Sequence, residues 1–136
     1  MSAATDLPAN ADFKSGYAAD PDGVAANVKR AVKTGVSGLS IEDYTGDSAK
    51  PLFDRALAVE RIKAAREAID ADKSGVLLTD RCEAFLRGQK DLNLVIDRLT
   101  AYAEAGADCL YAPGISTKEE ISAVVKAVAP KPVNLL

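Results

Sequence analysis

The chain contains no histidine and no tryptophan, and only two cysteines and one methionine among its 136 residues. Lacking histidine, it can build neither a Ser-His-Asp nor a Cys-His arrangement, and it has no imidazole to act as general base or metal ligand. Cys82 and Cys109 are too few for a disulfide scaffold and do not have metal-ligand spacing. Strong charge is missing too. A net charge of -3 and a pI near 5.0 lack the basic excess of a nucleic-acid binder, so no such partner is expected. No apolar run approaches the roughly 20 residues of a membrane span. The first twenty residues have no basic start leading into an apolar stretch, so no signal peptide is visible and a cytoplasmic place is expected. What is present is a chain 48% hydrophobic and 27% charged, enough to build the core of a single domain. Any chemistry must run on carboxylates, arginine, lysine, hydroxyls and a hard metal.

The punctuation is regular. Asp20-Pro21 reads as an N-cap followed by proline at the first helical position, with Val24, Val28, Ala31 and Val32 at helical spacing and Gly35 at the end. Asp54 opens a second helix carrying Leu57, Ile62, Ala65 and Ile69. Leu92, Val95, Leu99, Tyr102 and Ala103 mark a third, closed by Gly106. Ser116 with Glu119 matches a capping box for a fourth, striped by Ile121, Val124, Val125 and Val128 and stopped by Pro130. Short apolar strands fill the intervals at residues 7–13, 36–43, 75–81, 107–114 and 132–136. Their starts lie about 25 to 40 residues apart, the size of a β-α unit. Strict alternation with apolar strands predicts a parallel sheet covered by helices. Two architectures satisfy this pattern, an open doubly wound sheet and part of a (β/α)8 barrel, which needs about 250 residues when whole.

Ligands in such folds bind at the carboxyl ends of strands. Those ends carry Asn10-Ala11-Asp12, Glu42-Asp43, Asp80-Arg81-Cys82-Glu83 and Tyr111-Ala112-Pro113-Gly114. Acids, an amide and an arginine thus converge from neighbouring strands. Mg²⁺ takes oxygen ligands and keeps several waters, so Asp12 and Glu42 suffice to hold it. Arg81 would grip an anionic substrate with its planar fork. Each has a plainer role open to it: an acid can cap a helix, and Arg81 can pair with Asp80 or Glu83. Asp43 should face away from Glu42, since neighbours on a strand point to opposite sides. Thr45, Gly46, Asp47 and Lys50 read first as a solvated turn. Residues alone give an α/β protein with a candidate metal site.

The segments LPANADFKSGYA, GVSGLSIEDYTGDSAKPLFD, LLTDRCEAFL and YAEAGADCLYAPG resemble, in order and spacing, the isocitrate lyase/phosphoenolpyruvate mutase superfamily. The resemblance implies a (β/α)8 TIM-barrel fold, of which residues 1–136 form one partial domain with about five parallel strands and four helices. These strands correspond to the third through seventh of the barrel. It also implies a Mg²⁺-dependent (or Mn²⁺-dependent) lyase or mutase acting on a small 2-oxo carboxylate or phosphonate through an enolpyruvate-type intermediate. Asp12 and Glu42 take the metal positions, Glu42 through water. Glu42 and Arg81 take the catalytic ones, and Arg81, Asn10, Thr45 and Gly46 contact substrate. Residues 44–53 match the gating loop.

Departures from the family pattern narrow the reading. The loop lacks the K-[KR]-C-G-H segment of isocitrate and methylisocitrate lyases, which argues against those activities. It also lacks the lysine-asparagine motif of phosphoenolpyruvate mutase, for which Lys50 is a loose stand-in. Pro113 stands where some members have a substrate-contacting histidine. Asp80 stands where relatives have a small residue and is placed to pair with Arg81 and blunt its hold. The segment SAATDLP resembles the helix-to-strand junction before the third strand, and the chain stops within the seventh, so a truncated barrel with little activity of its own is expected. The alternative is a non-catalytic, self-associating barrel fragment, and a homo-oligomer is expected in either case, because a cut sheet leaves unpaired edges.

Overall fold

The computed structural model describes residues 6–135. Residues 2–5 of the SAATDLP junction, and Leu136 of the last expected strand, lie outside them.

Four helices and five strands alternate along the chain. Strand β1 is Asn10–Asp12 and helix α1 is Pro21–Val32; β2 is Gly38–Glu42 and α2 is Arg55–Asp72. Then come β3 at Leu77–Arg81, α3 at Leu92–Ala105, β4 at Cys109–Tyr111, α4 at Lys118–Val128 and β5 at Val133–Asn134. Each expected element is present, with strands shorter than the apolar runs suggested. All neighbouring strands pair in parallel, in the sequential order β1-β2-β3-β4-β5. A doubly wound sheet reverses its strand order at a switch point. Here nothing reverses, and consecutive helices pack side by side: α1 on α2, α2 on α3, α3 on α4. All four therefore cover one face of the sheet, the arrangement of an arc of a β/α barrel and not of an open two-sided sheet.

Local chemistry sets the helix ends. Asp20 caps α1, accepting from the Gly23 amide at 2.8 Å, with Pro21 at the first position as expected. Asp91 caps α3 the same way, and Gly106 closes it in the left-handed region. Two expectations shift. The capping box of α4 is formed by Thr117 and Glu120, one residue beyond the Ser116–Glu119 pair. Asp54 precedes α2 without capping it; its carboxylate instead meets Lys50 at 3.3 Å.

The core lies between sheet and helices. Leu39, Ile41, Leu78 and Leu110 point outward from the strands onto Val28, Ile62, Ile69, Leu99 and Val124, and all are buried. Fully burying a side chain of this size stabilises by about 1.5–3 kcal/mol. The opposite sheet face carries no helix among the described residues. No described helix is long and apolar enough to cross a membrane.

Candidate metal and anion site

Register decides what the bare face presents. Asp12 pairs with Ser40, Ser40 with Thr79, Thr79 with Cys109; one step along, Glu42 pairs with Arg81, Arg81 with Tyr111 and Tyr111 with Asn134. Alternation then sends these side chains to one side of the sheet. Except for Glu42, they line with Asn10 an open cleft of about 410 Å³; Glu42 borders, with Arg81, a small space toward α2 and α3 instead. Asn10 reaches this face because Gly38 lies beside it; a Cβ there would sit 2.6 Å from Asn10 Oδ1.

Arg81 stands at the centre. Its Nη1 lies 3.7 Å from Asp12 Oδ1 and its Nη2 lies 3.8 Å from Glu42 Oε2. The two carboxylates expected to share an ion thus approach one guanidinium. They differ in setting: the Asp12 side chain is 59% exposed, that of Glu42 only 9%. Burial, then the charge of Glu83, raises the Glu42 pKa above the ordinary carboxylate range, opposed by Arg81 and Lys14. A cation beside Glu42 would relieve that burden.

Mg²⁺, implied by the resemblance, can be tested against this donor set. Among the described residues no group of three acids, cysteines or histidines is close enough to cage an ion. Asp12 and Glu42 flank the Arg81 guanidinium at its two amino groups, and hard carboxylates of this kind suit a cation that keeps most of its waters. The set therefore fits a hydrated divalent ion held by few protein ligands.

The partner of Arg81 is Glu83, not Asp80. Arg81 Nε and Nη2 donate to Glu83 Oε1 at 3.0 and 2.8 Å, while its guanidinium lies 5.2 Å from the Tyr111 ring. The expectation that Asp80 would pair with Arg81 fails on the pleat: Asp80 pairs in register with Ile41 and Leu110 and points to the helix side, fully buried. Neither of its carboxyl oxygens has a hydrogen-bond partner, and burial followed by the Asp108 charge pushes its pKa well up, against Arg61. Arg61 of α2, itself 1% exposed, donates to the carbonyls of Ser15 and Ala18 and lies over the Phe53 ring.

Asp43 faces away from Glu42 as expected, and it is structural. It accepts from the Glu83 amide at 2.9 Å, the Tyr102 hydroxyl at 2.6 Å and Arg98 Nη1 at 3.1 Å, while Arg98 Nη2 donates to Phe53 O at 2.8 Å. This cluster ties the tips of β2 and β3 to α3 and to the end of loop 44–53. The loop itself is closed by the antiparallel Tyr44–Leu52 bridge. Thr45 Oγ1 donates to Lys50 O at 2.6 Å and accepts from the Asp47 amide at 3.0 Å, so Thr45 organises the loop from within. Thr45, Gly46 and Glu42 do not line the cleft, unlike Asn10, Asp12 and Arg81.

Sequence reasoning missed the roles of Arg61, Arg98 and Arg87. The spacing of Arg98 and Tyr102, four apart on α3, was the one available sign that a charge shared the apolar stripe.

Known proteins resemble the chain over nearly its whole length. The family model described as phosphoenolpyruvate phosphomutase matches residues 1–136. An oxaloacetate decarboxylase of Rhodopseudomonas palustris (strain BisB5) is 33% identical over 137 residues, covering 93% of this chain and 44% of the relative. A Burkholderia cenocepacia J2315 protein with a provisional lyase/mutase description has a solved structure 46% identical, with TM-score 0.94 over 97% of this chain and 47% of its own. A phosphonopyruvate hydrolase solved with oxalate and Mg²⁺ is 27% identical, TM-score 0.82, over 97% of this chain and 46% of its own. The chain spans under half the length of these relatives. Their fold is the TIM barrel, so the five-stranded arc is of barrel type. The chain belongs to the phosphoenolpyruvate phosphomutase family, within the isocitrate lyase/phosphoenolpyruvate mutase superfamily.

Proposed function

We propose that this chain carries the metal- and anion-binding side of a Mg²⁺-dependent lyase or mutase acting on a small 2-oxo carboxylate or phosphonate. The observation that carries this reading is the approach of Asp12 and Glu42 to the single guanidinium of Arg81, at the tips of adjacent parallel strands. Asp12 and Glu42 would hold Mg²⁺ (or Mn²⁺), Glu42 through water. Arg81 would anchor the carboxylate or phosphonate of the substrate, with Nη1 directed to the cleft. Asn10 would contribute an amide contact from β1; Thr45 and Gly46, which stand off the cleft, would contact substrate only with loop 44–53 moved over it. When bound, Mg²⁺ supplies the positive charge that offsets charge developing on an enolate oxygen. Relatives bearing names such as oxaloacetate decarboxylase and phosphonopyruvate hydrolase support the substrate class. The missing K-[KR]-C-G-H segment points away from isocitrate and methylisocitrate. A cytoplasmic place and a homo-oligomer belong to the same reading.

Assayed by itself, the 136-residue chain is expected to turn substrate over weakly or not at all, because its cleft is open to solvent across the bare face. Binding is therefore the sharper test. Titration calorimetry with oxalate should show uptake that needs Mg²⁺ and is lost in Arg81→Ala. Uptake indifferent to both would end the proposal.

A second reading rests on its own observation. The sheet has a helix-free face, unpaired outer edges at β1 and β5 among the described residues, and Leu77 59% exposed. Such a surface favours a non-catalytic, self-associating unit. Light scattering that shows a monomer at all concentrations would exclude this reading.

A further inference from the structure

Glu83 sits within a chain of contacts longer than an ion pair requires. Its side chain is 1% exposed, and its two carboxylate oxygens serve different arginines. Oε1 accepts both Nε and Nη2 of Arg81, at 3.0 and 2.8 Å. Oε2 accepts from Arg87 Nη2 at 3.4 Å. Arg87 Cζ in turn lies over the Tyr44 ring, 3.6 Å from its centroid. Tyr44 is the first residue of loop 44–53 and half of the bridge that closes it.

Two physical consequences follow. Arg81 has two of its three nitrogens committed to Glu83, so its fork cannot rotate freely, and Nη1 is left toward Asp12 and the cleft. A planar guanidinium held in this way is pre-organised for an anion. Further, anything that draws on Arg81 changes what Glu83 offers Arg87, and hence how firmly Arg87 is held over Tyr44. Buried carboxylates that serve two cations couple them, because the charge is shared where water screens little.

We propose that Glu83 is a positioning residue: it aims Arg81 at the cleft through one carboxylate oxygen and, through Arg87 on the other, ties that anion grip to the base of loop 44–53. An anion taking up part of the Arg81 charge frees Glu83 to bind Arg87 more closely. The loop base then tightens. This rests on the reading of Arg81 as the anion anchor, but the tie to the loop can be tested without any ligand.

The experiment uses the full chain with Glu83→Gln and Arg87→Met. Amide hydrogen exchange is followed at Thr45 and Phe53, whose N–H groups cross the loop base to Pro51 O and Asp43 O. The Arg81 Nε–H signal is followed by NMR, without ligand and with Mg²⁺ plus oxalate. Without ligand, both variants should exchange about three- to fivefold faster at Thr45 and Phe53, as loss of one partly exposed ion pair and one cation–π contact would give. Only Glu83→Gln should expose the Arg81 Nε–H to water. With Mg²⁺ and oxalate, the wild-type amides should slow. Arg87→Met should still bind oxalate, within about threefold of wild type, yet show no slowing, whereas Glu83→Gln should bind about tenfold more weakly. A purely structural Glu83 would not separate binding from loop response in this way.

Unchanged ligand-free exchange in both variants overturns the proposal. So does a loop response to oxalate that survives Arg87→Met. If the wild-type chain binds no oxalate, the anion-site reading fails and the ligand-free arm still decides this one. If Glu83→Gln does not fold, the two arms with Arg87→Met decide.

Discussion

Asp80 and Arg81 are neighbours in the chain and occupy opposite worlds. Arg81 faces the bare side of the sheet, engages Glu83, and lies near Asp12, Glu42 and Tyr111. Asp80 faces the helices, where it is fully buried without a hydrogen bond. Glu42 and Asp43 repeat the contrast one strand over. Asp43 on the helix side is satisfied by three donors, while Glu42 on the bare side approaches a cation without a hydrogen bond to it. The pleat therefore sorts adjacent charges into two jobs. On the helix side Asp43 holds strand tips and loop in place, while Asp80 is a buried acid without a hydrogen-bond partner. Those on the open side keep capacity for an ion or an anion.

Removing Asp43 should cost the most. Asp43→Ala strands Arg98 and Tyr102 and should destabilise the fold by about 3–5 kcal/mol in urea unfolding, the penalty of an uncompensated buried charge. If it costs under about 1 kcal/mol, the cluster is not what fixes the strand tips.

On the open side the effect should fall on binding. Arg81→Ala should weaken oxalate uptake by about 10- to 100-fold in calorimetry, matching loss of charged hydrogen bonds worth about 1.5–3 kcal/mol. Because Glu83 is then left with Arg87 alone, stability should also fall, and circular dichroism checks that the fold persists under the binding conditions.

Asp80 gives a pH-dependent test with a definite sign. Burial, then Asp108, with Asp43 also contributing, raises its folded-state pKa, while Arg61 and Arg66 act to lower it. The native state thus holds a proton that the unfolded chain gives up at lower pH. Its contribution is fully present below the unfolded carboxylate pKa and is lost as pH climbs through the raised value. Asp80→Asn, which mimics the protonated acid, should therefore gain stability at about pH 8 relative to about pH 5, by about 1–3 kcal/mol at most. Denaturant midpoints at the two pH values measure it, and an equal effect at both contradicts the assignment. The smallest change is expected from Asp12→Asn. Its side chain is 59% exposed, so stability should move by under about 0.5 kcal/mol, while Mg²⁺-dependent oxalate uptake falls.

The two faces were unequally visible in the sequence. Helical stripes such as Val24, Val28 and Val32 declared the core because apolar spacing is a local signal. The strand tips were readable for the same reason, and Arg81 lies within 3.7 Å of Asp12 and 3.8 Å of Glu42. Partner choice was not readable. Ser116–Glu119 and Thr117–Glu120 fit the capping pattern equally well, and only backbone geometry at Thr117 selects between them. The sequence offered Arg81 both Asp80 and Glu83, and only the pleat decides, separating neighbours and letting residues two apart, Arg81 and Glu83, meet. Arg61 and Arg98 sit on helices where a charge reads as solvated, and each is held inside by contacts more than forty residues away. Such long-range partners leave no local trace.

On the proposed reading, Asp12, Glu42 and Arg81 border one cation site at the strand tips. Paramagnetic Mn²⁺, substituted for Mg²⁺ at a ratio well below one per chain, reads it directly by NMR. Amide signals at the tips of β1, β2 and β3 should broaden first and together, and excess Mg²⁺ should restore them. Broadening spread over exposed acids such as Asp22, Asp47 and Glu104, with the strand tips spared, would contradict it.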